Sequence, residues 1–456
     1  MAIKRWQRGI AWALGVVLAL AALYGVGRLV HVALGSLYSG ERGPYLQMVS
    51  PRGVTVRWQT PDEAASVLRY GTAADALDKS TVVEGAREVH AVRLSGLQPA
   101  TRYYYATGTD AAAPHWFVTA PATGSEVPLR FAVLGDPGYA GPGQSAVRNA
   151  LLGWLTNHPR AGMAYLDLLL TTGDNAYRSG TNQQFQDNFF LPYREILHNI
   201  PVWPTYGNHD ARRWAFFDIF SFPAQGESGG VPSGSTHYYA FDYGNAHVVF
   251  LDSQASDRGA NGAMMQWLKK DLAATTQRWL IAVLHHPPYT RGSHDSDDAG
   301  DSGGRMQEMR EVFVPVLEQA GADLVLSGHS HMYERSHLLR CHYGESATLD
   351  PFTMVPALNR SELDAKAGIY RKQQAALSPL SGTVYLVLGA SSKLDDGPLD
   401  HPVMLNSLRE MGSVVIDIAG NALTARFIND RGAISDQFTI IKGDVAGVAP
   451  LEACAQ

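Results

Sequence analysis

The chain has 456 residues, of which 45% are hydrophobic, enough apolar material for two to four cored domains and too much for a disordered chain. Charged residues are 18%, the net charge is −6 and the pI about 6.2, which argues against a dedicated nucleic-acid binder, whose footprint should be basic. Two cysteines, Cys341 and Cys454, are too few for a disulfide framework, and the sequence leaves open whether they pair.

Lys4, Arg5 and Arg8 precede an uncharged run from Ile10 to Gly27, closed by Arg28. At 18 residues it is longer than a usual signal-peptide core and just short of the ~20 that span a bilayer. The basic flank is expected to stay in the cytoplasm and the rest of the chain to be exported. Residues 1–40 are therefore expected to be an apolar helix that anchors the chain, or a signal cleaved at Ala19-Leu20-Ala21, with a buried core helix as the remaining alternative.

Residues 41–122 carry short alternating stretches, Val54 to Trp58, Ser66 to Tyr70 and Val89 to Leu94, the pattern of antiparallel strands with one buried face. Leu97 to Tyr105 (LQPATRYYY) resembles the corner and strand of a fibronectin type III sandwich. Ala120 to Pro128 reads as a linker, and nothing in the module has a catalytic pattern.

Beyond it, over residues 128–441, five apolar runs end in polar motifs: Gly135-Asp136-Pro137-Gly138, Gly173-Asp174-Asn175-Ala176-Tyr177, Gly207-Asn208-His209-Asp210, His285-His286-Pro287-Pro288 and Gly328-His329-Ser330-His331. Uninterrupted apolar runs fit strands covered on both faces. Helix-like stretches lie between them at Gln144 to Asn157, Met264 to Ala274 and Met306 to Gln319. Open α/β sheets place ligands at the carboxyl ends of such strands, so these five ends are expected to make one site. They offer carboxylate, amide and phenol oxygens with imidazole nitrogens and no thiolate. That donor set suits first-row metals, and its size suits two of them sharing a carboxylate.

The five blocks, in order, resemble the metallophosphoesterase signature in its purple acid phosphatase form: GDxG, GDxxY, GNH with a following acid, VxxH and GHxH. The resemblance extends to the β-module, which many members carry ahead of the catalytic domain. It implies an αββα sandwich over 128–441, a small all-β domain over 41–122 and a tail at 442–456. It also implies that Asp136, Asp174, Tyr177 and His331 hold a first metal, Fe(III), and that Asp174 bridges to a second, Fe, Zn or Mn, completed by Asn208, His286 and His329. The VxxH spacing from Val283 selects His286, leaving His285 a supporting place. His209 matches the family's phosphate-contacting histidine, and His294 is set near its further substrate histidine, with different local spacing. A Tyr ligand suits a strongly polarising cation, since free Tyr ionises near pH 10.

The implied activity is hydrolysis of phosphomonoesters at acid pH by a metal-activated hydroxide. The rivals are a phosphodiesterase or nucleotidase on the same site, and a surface binding protein with a dead metal domain. Thr290 to Arg305 (TRGSHDSDDAGDSGGR) reads as a loop beside the site, 340–380 as an insertion without chemistry, and Thr383 to Leu388, Ser413 to Ile418 and Leu423 to Ile428 as scaffold strands.

Overall fold

The computed structural model describes residues 17, 21–27, 29–30, 34–35, 37–108, 113–212, 214–356, 367–443 and 453–454. Most of the Ile10–Gly27 run lies outside the described residues, and among those described no helix is long and apolar enough to cross a membrane.

The first five strands form the N-terminal module: β1 (Arg42–Ser50), β2 (Gly53–Gly71), β3 (Lys79–Ser95), β4 (Arg102–Thr107) and β5 (His115–Val118). Val54 to Trp58 and Ser66 to Tyr70, expected as separate strands, are two halves of the 19-residue β2. The register against β3 slips between Gln59 and Ser66, around Pro61, where a missing N–H is tolerated by a bulge. β1 pairs with the first half of β2 and β4 with the second, so one hydrogen-bonded sheet of five strands carries both halves. The module docks through buried polar contacts. The Arg42 guanidinium donates to Gln186 Oε1 (2.9 Å) and Asn182 Oδ1 (2.6 Å) and lies 4.4 Å from the Phe190 ring centre. Tyr45 Oη donates to the Ile219 carbonyl at 2.6 Å.

Two seven-stranded mixed sheets make the larger domain that follows. The first runs β14 (Ile369–Lys372), β19 (Ile434–Lys442), β18 (Ala422–Asn429), β17 (Gly412–Ala419), β6 (Leu129–Leu134), β7 (Leu168–Thr171), β8 (Val202–Trp203). The second runs β16 (Met404–Leu408), β13 (Tyr333–Leu339), β15 (Thr383–Leu388), β12 (Leu324–Ser327), β11 (Trp279–Leu284), β10 (Ala246–Leu251), β9 (Tyr239–Tyr243). Phe131, Leu170, Trp203, Phe241, Ile281 and Leu326 belong to one buried cluster. On the second sheet, Val249, Leu280 and Val325 pack instead with Leu268, Met309 and Leu317 from helices at Ala263–Ala274 and 305–319. This is the expected αββα order. The central strands β6–β7–β8 and β10–β11–β12–β15 run parallel and are wholly buried, which is why they read as unbroken apolar runs.

Cys341 and Cys454 form a disulfide between the insertion and the C-terminal segment. On β10, the imidazole of His247 lies between Asp242 Oδ1 (2.8 Å) and Asp271 Oδ2 (2.7 Å). Burial opposes its charge, but the two carboxylates outweigh burial and raise its pKa to about 9. A folded pKa above the unfolded ~6.5 means the stabilisation is complete below pH 6.5 and lost as pH climbs through 9, a change of about 3 kcal/mol. Urea denaturation at pH 6 and pH 9.5 should show this loss. His247→Gln should be less stable at pH 6 and flatter across the interval; an equal slope in both proteins would remove His247 as its source.

Candidate metal centre

Each sequence motif sits where a parallel strand ends. Asp136 follows β6, Asp174 follows β7, Asn208 lies beyond β8, His285 and His286 follow β11, and His329 and His331 follow β12. Three of these residues, Asp136 (φ 50°), Asp174 (φ 51°) and His329 (φ 67°), hold left-handed backbone conformations, uncommon without glycine and typical of over-determined functional turns. Neighbouring glycines let the loops close up. A Cβ at Gly207 would fall 2.3 Å from Asp174 Oδ1, and one at Gly328 would fall 2.2 Å from Asp136 Oδ1.

The side chains converge. Tyr177 Oη lies 3.1 Å from Asp136 Oδ2, 2.9 Å from Asp174 Oδ2 and 2.9 Å from His331 Nε2, and His331 Nε2 lies 3.2 Å from Asp136 Oδ2. Asn208 Oδ1 is 2.8 Å from His285 Nε2 and 3.1 Å from His329 Nδ1. His285 Nε2 is also 3.6 Å from Asp174 Oδ1, and Asp174 is thus shared by both halves of the cluster. Ligand atoms of Asp136, Asp174 and His285, and separately of His285, His286 and His329, lie within 4.8 Å of one another.

The neighbouring histidines divide differently from the spacing argument. His285 donates its Nδ1–H to the Thr172 carbonyl (2.8 Å) and turns Nε2 onto Asp174 and Asn208. His286 places Nδ1 on Ser253 Oγ (2.9 Å), with its ring 4.5 Å from that of His329. His285 thus faces Asp174 and Asn208, while His286, the residue selected by VxxH spacing, stands on the His329 side. A strand has alternating faces, so a choice between adjacent residues depends on its register, which spacing alone does not supply.

His209 and His294 flank the cluster. His209 Nδ1 meets the Arg178 carbonyl at 2.8 Å, its Nε2 lies 3.9 Å from Asp174 Oδ2, and its ring packs 4.2 Å from that of Tyr177. His294 Nδ1 lies 2.9 Å from Asp301 Oδ1, and its ring stacks on His329 at 4.0 Å. The Gly, Ser and Asp-rich loop is thereby ordered against the site, with Ser302 Oγ 2.6 Å from His329 Nε2.

Electrostatically the cluster is set for cations. Burial, followed by the charges of neighbouring imidazoles, pushes His286 and His329 well below the usual histidine range, leaving them neutral with lone pairs to offer. Burial, then Asp136 and Asp174, pushes the Tyr177 phenol well above its usual value. Buried oxygens and neutral nitrogens this close, without a thiolate among them, match the donor chemistry of hard to borderline metal ions.

Two contributors were illegible as chemistry. Asp210, the acid after GNH, is fully buried and accepts from the backbone N–H groups of Asn175 (3.0 Å) and Gly207 (3.1 Å), stitching two loops together. Asp395, between the scaffold strands expected at 383–388 and 413–418, places Oδ2 2.5 Å from His331 Nδ1 and orients that ring. The available signal was its place just past β15, a strand parallel to β12.

Two sheets sandwiched between helices, with an Asp, Asn, His and Tyr cluster on their strand ends, define a metallophosphoesterase-type domain. Residues 129–333 match the model of the calcineurin-like phosphoesterases, and residues 42–120 match the purple acid phosphatase N-terminal domain. These matches show a calcineurin-like phosphoesterase domain preceded by a purple acid phosphatase N-terminal domain. It is 30% identical to purple acid phosphatase 22 of Arabidopsis thaliana over 54% of this chain and 54% of the relative, about half the length of each. It is 27% identical to a purple acid phosphatase of Glycine max over 70% and 68%. In fold it is similar to the purple acid phosphatase PPD1 from Lupinus luteus seeds, with a TM-score of 0.67 at 17% identity, covering 88% of this chain and 74% of that one. A structure of PhoD gives a TM-score of 0.59 at 14% identity, covering 89% and 90%.

Proposed function

We propose that the chain is an exported, dinuclear-metal acid phosphatase that hydrolyses phosphomonoesters. The observation that carries this reading is the convergence of Asp136, Asp174, Tyr177, Asn208, His285, His329 and His331 on adjoining strand ends, with Asp174 common to both halves. Asp136, Asp174, Tyr177 and His331 would hold one cation. Asp174, Asn208, His285 and His329, with His286 beside them, would hold the other. When bound, such a pair supplies Lewis acidity to phosphoryl oxygens and makes water nucleophilic below neutral pH.

The chain's own residues do the rest. The Arg178 carbonyl accepts from His209 Nδ1–H and turns Nε2 to the Asp174 side, where the protonated imidazolium can donate to a phosphoryl oxygen or to the departing alkoxide. His294, held by Asp301, is available from the opposite rim. Loss of the Tyr177 proton, opposed by burial and two carboxylates, needs a strongly charged cation, which favours Fe(III) on that side; Fe, Zn or Mn fits the other. The basic flank and apolar run before residue 28, together with the Cys341–Cys454 disulfide, support export to an oxidising compartment, by an anchor or a cleaved signal. The fibronectin type III likeness of the module belongs to the same reading.

The test is hydrolysis of a chromogenic phosphomonoester against the matching diester from pH 4 to 9. Monoester preference with an optimum below neutrality is expected. Diester preference would transfer the function to a phosphodiesterase on the same residues, and absence of hydrolysis with metals bound would leave a binding protein.

A further inference from the structure

Residues 391–395, SSKLD, form a further strand-end loop, fastened to the one that carries Asp136. Ser391 Oγ accepts from the Gly135 N–H at 3.0 Å and donates to the Gly412 carbonyl at 2.7 Å. Ser392 Oγ accepts from the Tyr139 N–H at 3.2 Å and donates to the Asp136 carbonyl. So held, Lys393 reaches the rim. Its ammonium lies 5.7 Å from the ring centre of Tyr177 and 5.8 Å from that of Tyr139, distances of cation–π contact. Its carboxylate neighbour, Asp395 Oδ2 at 3.0 Å, is shared with His331, so the lysine charge is only partly compensated. Lys393 is part-exposed, and the Tyr139 ring is 36% exposed.

On the Tyr177 and His209 side stand Lys393 and the exposed residues Arg178 and Arg212. Beyond His294 the loop presents the exposed Asp298, together with Asp295 paired to Arg291 at 3.4 Å and Asp301 paired to His294 at 2.9 Å. An anionic substituent on the leaving group is drawn to the first side. A lysine ammonium is a point charge on a flexible stem, suited to a phosphate arriving from several leaving groups.

We propose that Lys393, over the exposed ring of Tyr139, forms a subsite for a second phosphate on the substrate, so that the chain prefers phosphomonoesters whose leaving group carries another phosphate. This rests on the phosphatase reading above and names its substrate class.

The experiment compares propane-1,3-diol monophosphate with its bisphosphate on the metal-loaded full chain, for the unaltered protein, Lys393→Met and Lys393→Arg. The unaltered protein should favour the bisphosphate in kcat/KM. Lys393→Met should lower the bisphosphate-to-monophosphate ratio about tenfold, mainly through KM, and Lys393→Arg should restore part of it. Inhibition by methylenebisphosphonate should weaken more than inhibition by methylphosphonate. Equal losses on both substrates would instead make Lys393 a support for His331 through Asp395 and overturn the subsite, as would an unchanged ratio. An unaltered protein that cleaves the monophosphate without preferring the bisphosphate removes the subsite alone; one that cleaves neither removes the phosphatase reading with it.

Discussion

Asp174→Ala is expected to reduce phosphomonoester turnover by about 10⁴-fold or more and to lower bound metal at both positions together. The reason is its double engagement. Oδ2 stands 2.9 Å from Tyr177 Oη on one side, while Oδ1 stands 3.6 Å from His285 Nε2 and accepts from the His209 N–H at 2.8 Å on the other. Three further variants make the measurement discriminating. His285→Ala should lose metal from one position, and His286→Ala should lose less, because only His285 faces Asp174 and Asn208. Tyr177→Phe should keep both metals while losing any visible absorption that a phenolate–metal contact produces. Metal analysis by mass spectrometry beside turnover reads all four. Full metal retention by Asp174→Ala would end the bridging assignment, and a greater metal loss in His286→Ala than in His285→Ala would return the site to the spacing-based choice.

The second large effect concerns stability. Arg335 follows shortly after the Gly328-His329-Ser330-His331 block but points away from the metal centre. Its guanidinium meets Asp436 in a two-pronged contact, Nε to Oδ2 at 2.6 Å and Nη2 to Oδ1 at 2.9 Å, and Tyr333 Oη donates to Oδ2 at 2.6 Å. Arg335 and Tyr333 lie on β13 of the second sheet and Asp436 on β19 of the first, so this buried group joins the two sheets at depth. Arg335→Met leaves the carboxylate without its cation and should cost about 3–5 kcal/mol in urea denaturation. The pair Arg335→Met with Asp436→Leu should recover much of that loss, because the penalty arises from the stranded charge. A single variant within 1 kcal/mol of the unaltered protein would show that water reaches Asp436 and the contact is dispensable.

The order of buried parallel strands was legible because strands covered on both faces must be apolar throughout, and the polar residues that stop them stand out. The same logic drew attention to the blocks that carry Asp136, Asp174, Tyr177, Asn208, His329 and His331, which the fold brings to adjoining strand ends. It could not separate His285 from His286, since that depends on which face of β11 meets the first sheet, a tertiary fact. Nor could it reveal that Val54 to Trp58 and Ser66 to Tyr70 are one strand, because Pro61 and the acids beside it look like a turn until a bulge absorbs them. Asp395 and Lys393 were hidden for another reason. Their loop carries no motif and acquires meaning only because β15 pairs with β12 and carries 391–395 to the site.

The first sheet is sewn from opposite ends of the catalytic domain. β6, which ends at Asp136, pairs on one flank with β7 and on the other with β17, Val133 facing Val414. A nascent chain therefore holds half of this sheet with an open edge until its last strands arrive, and long-range pairings of this kind form slowly. The carboxylate at the end of β6 cannot be fixed in its unusual backbone turn before then. The strand ends that gather Asp136, Asp174 and the histidines thus come together only once the last strands of the chain have been made.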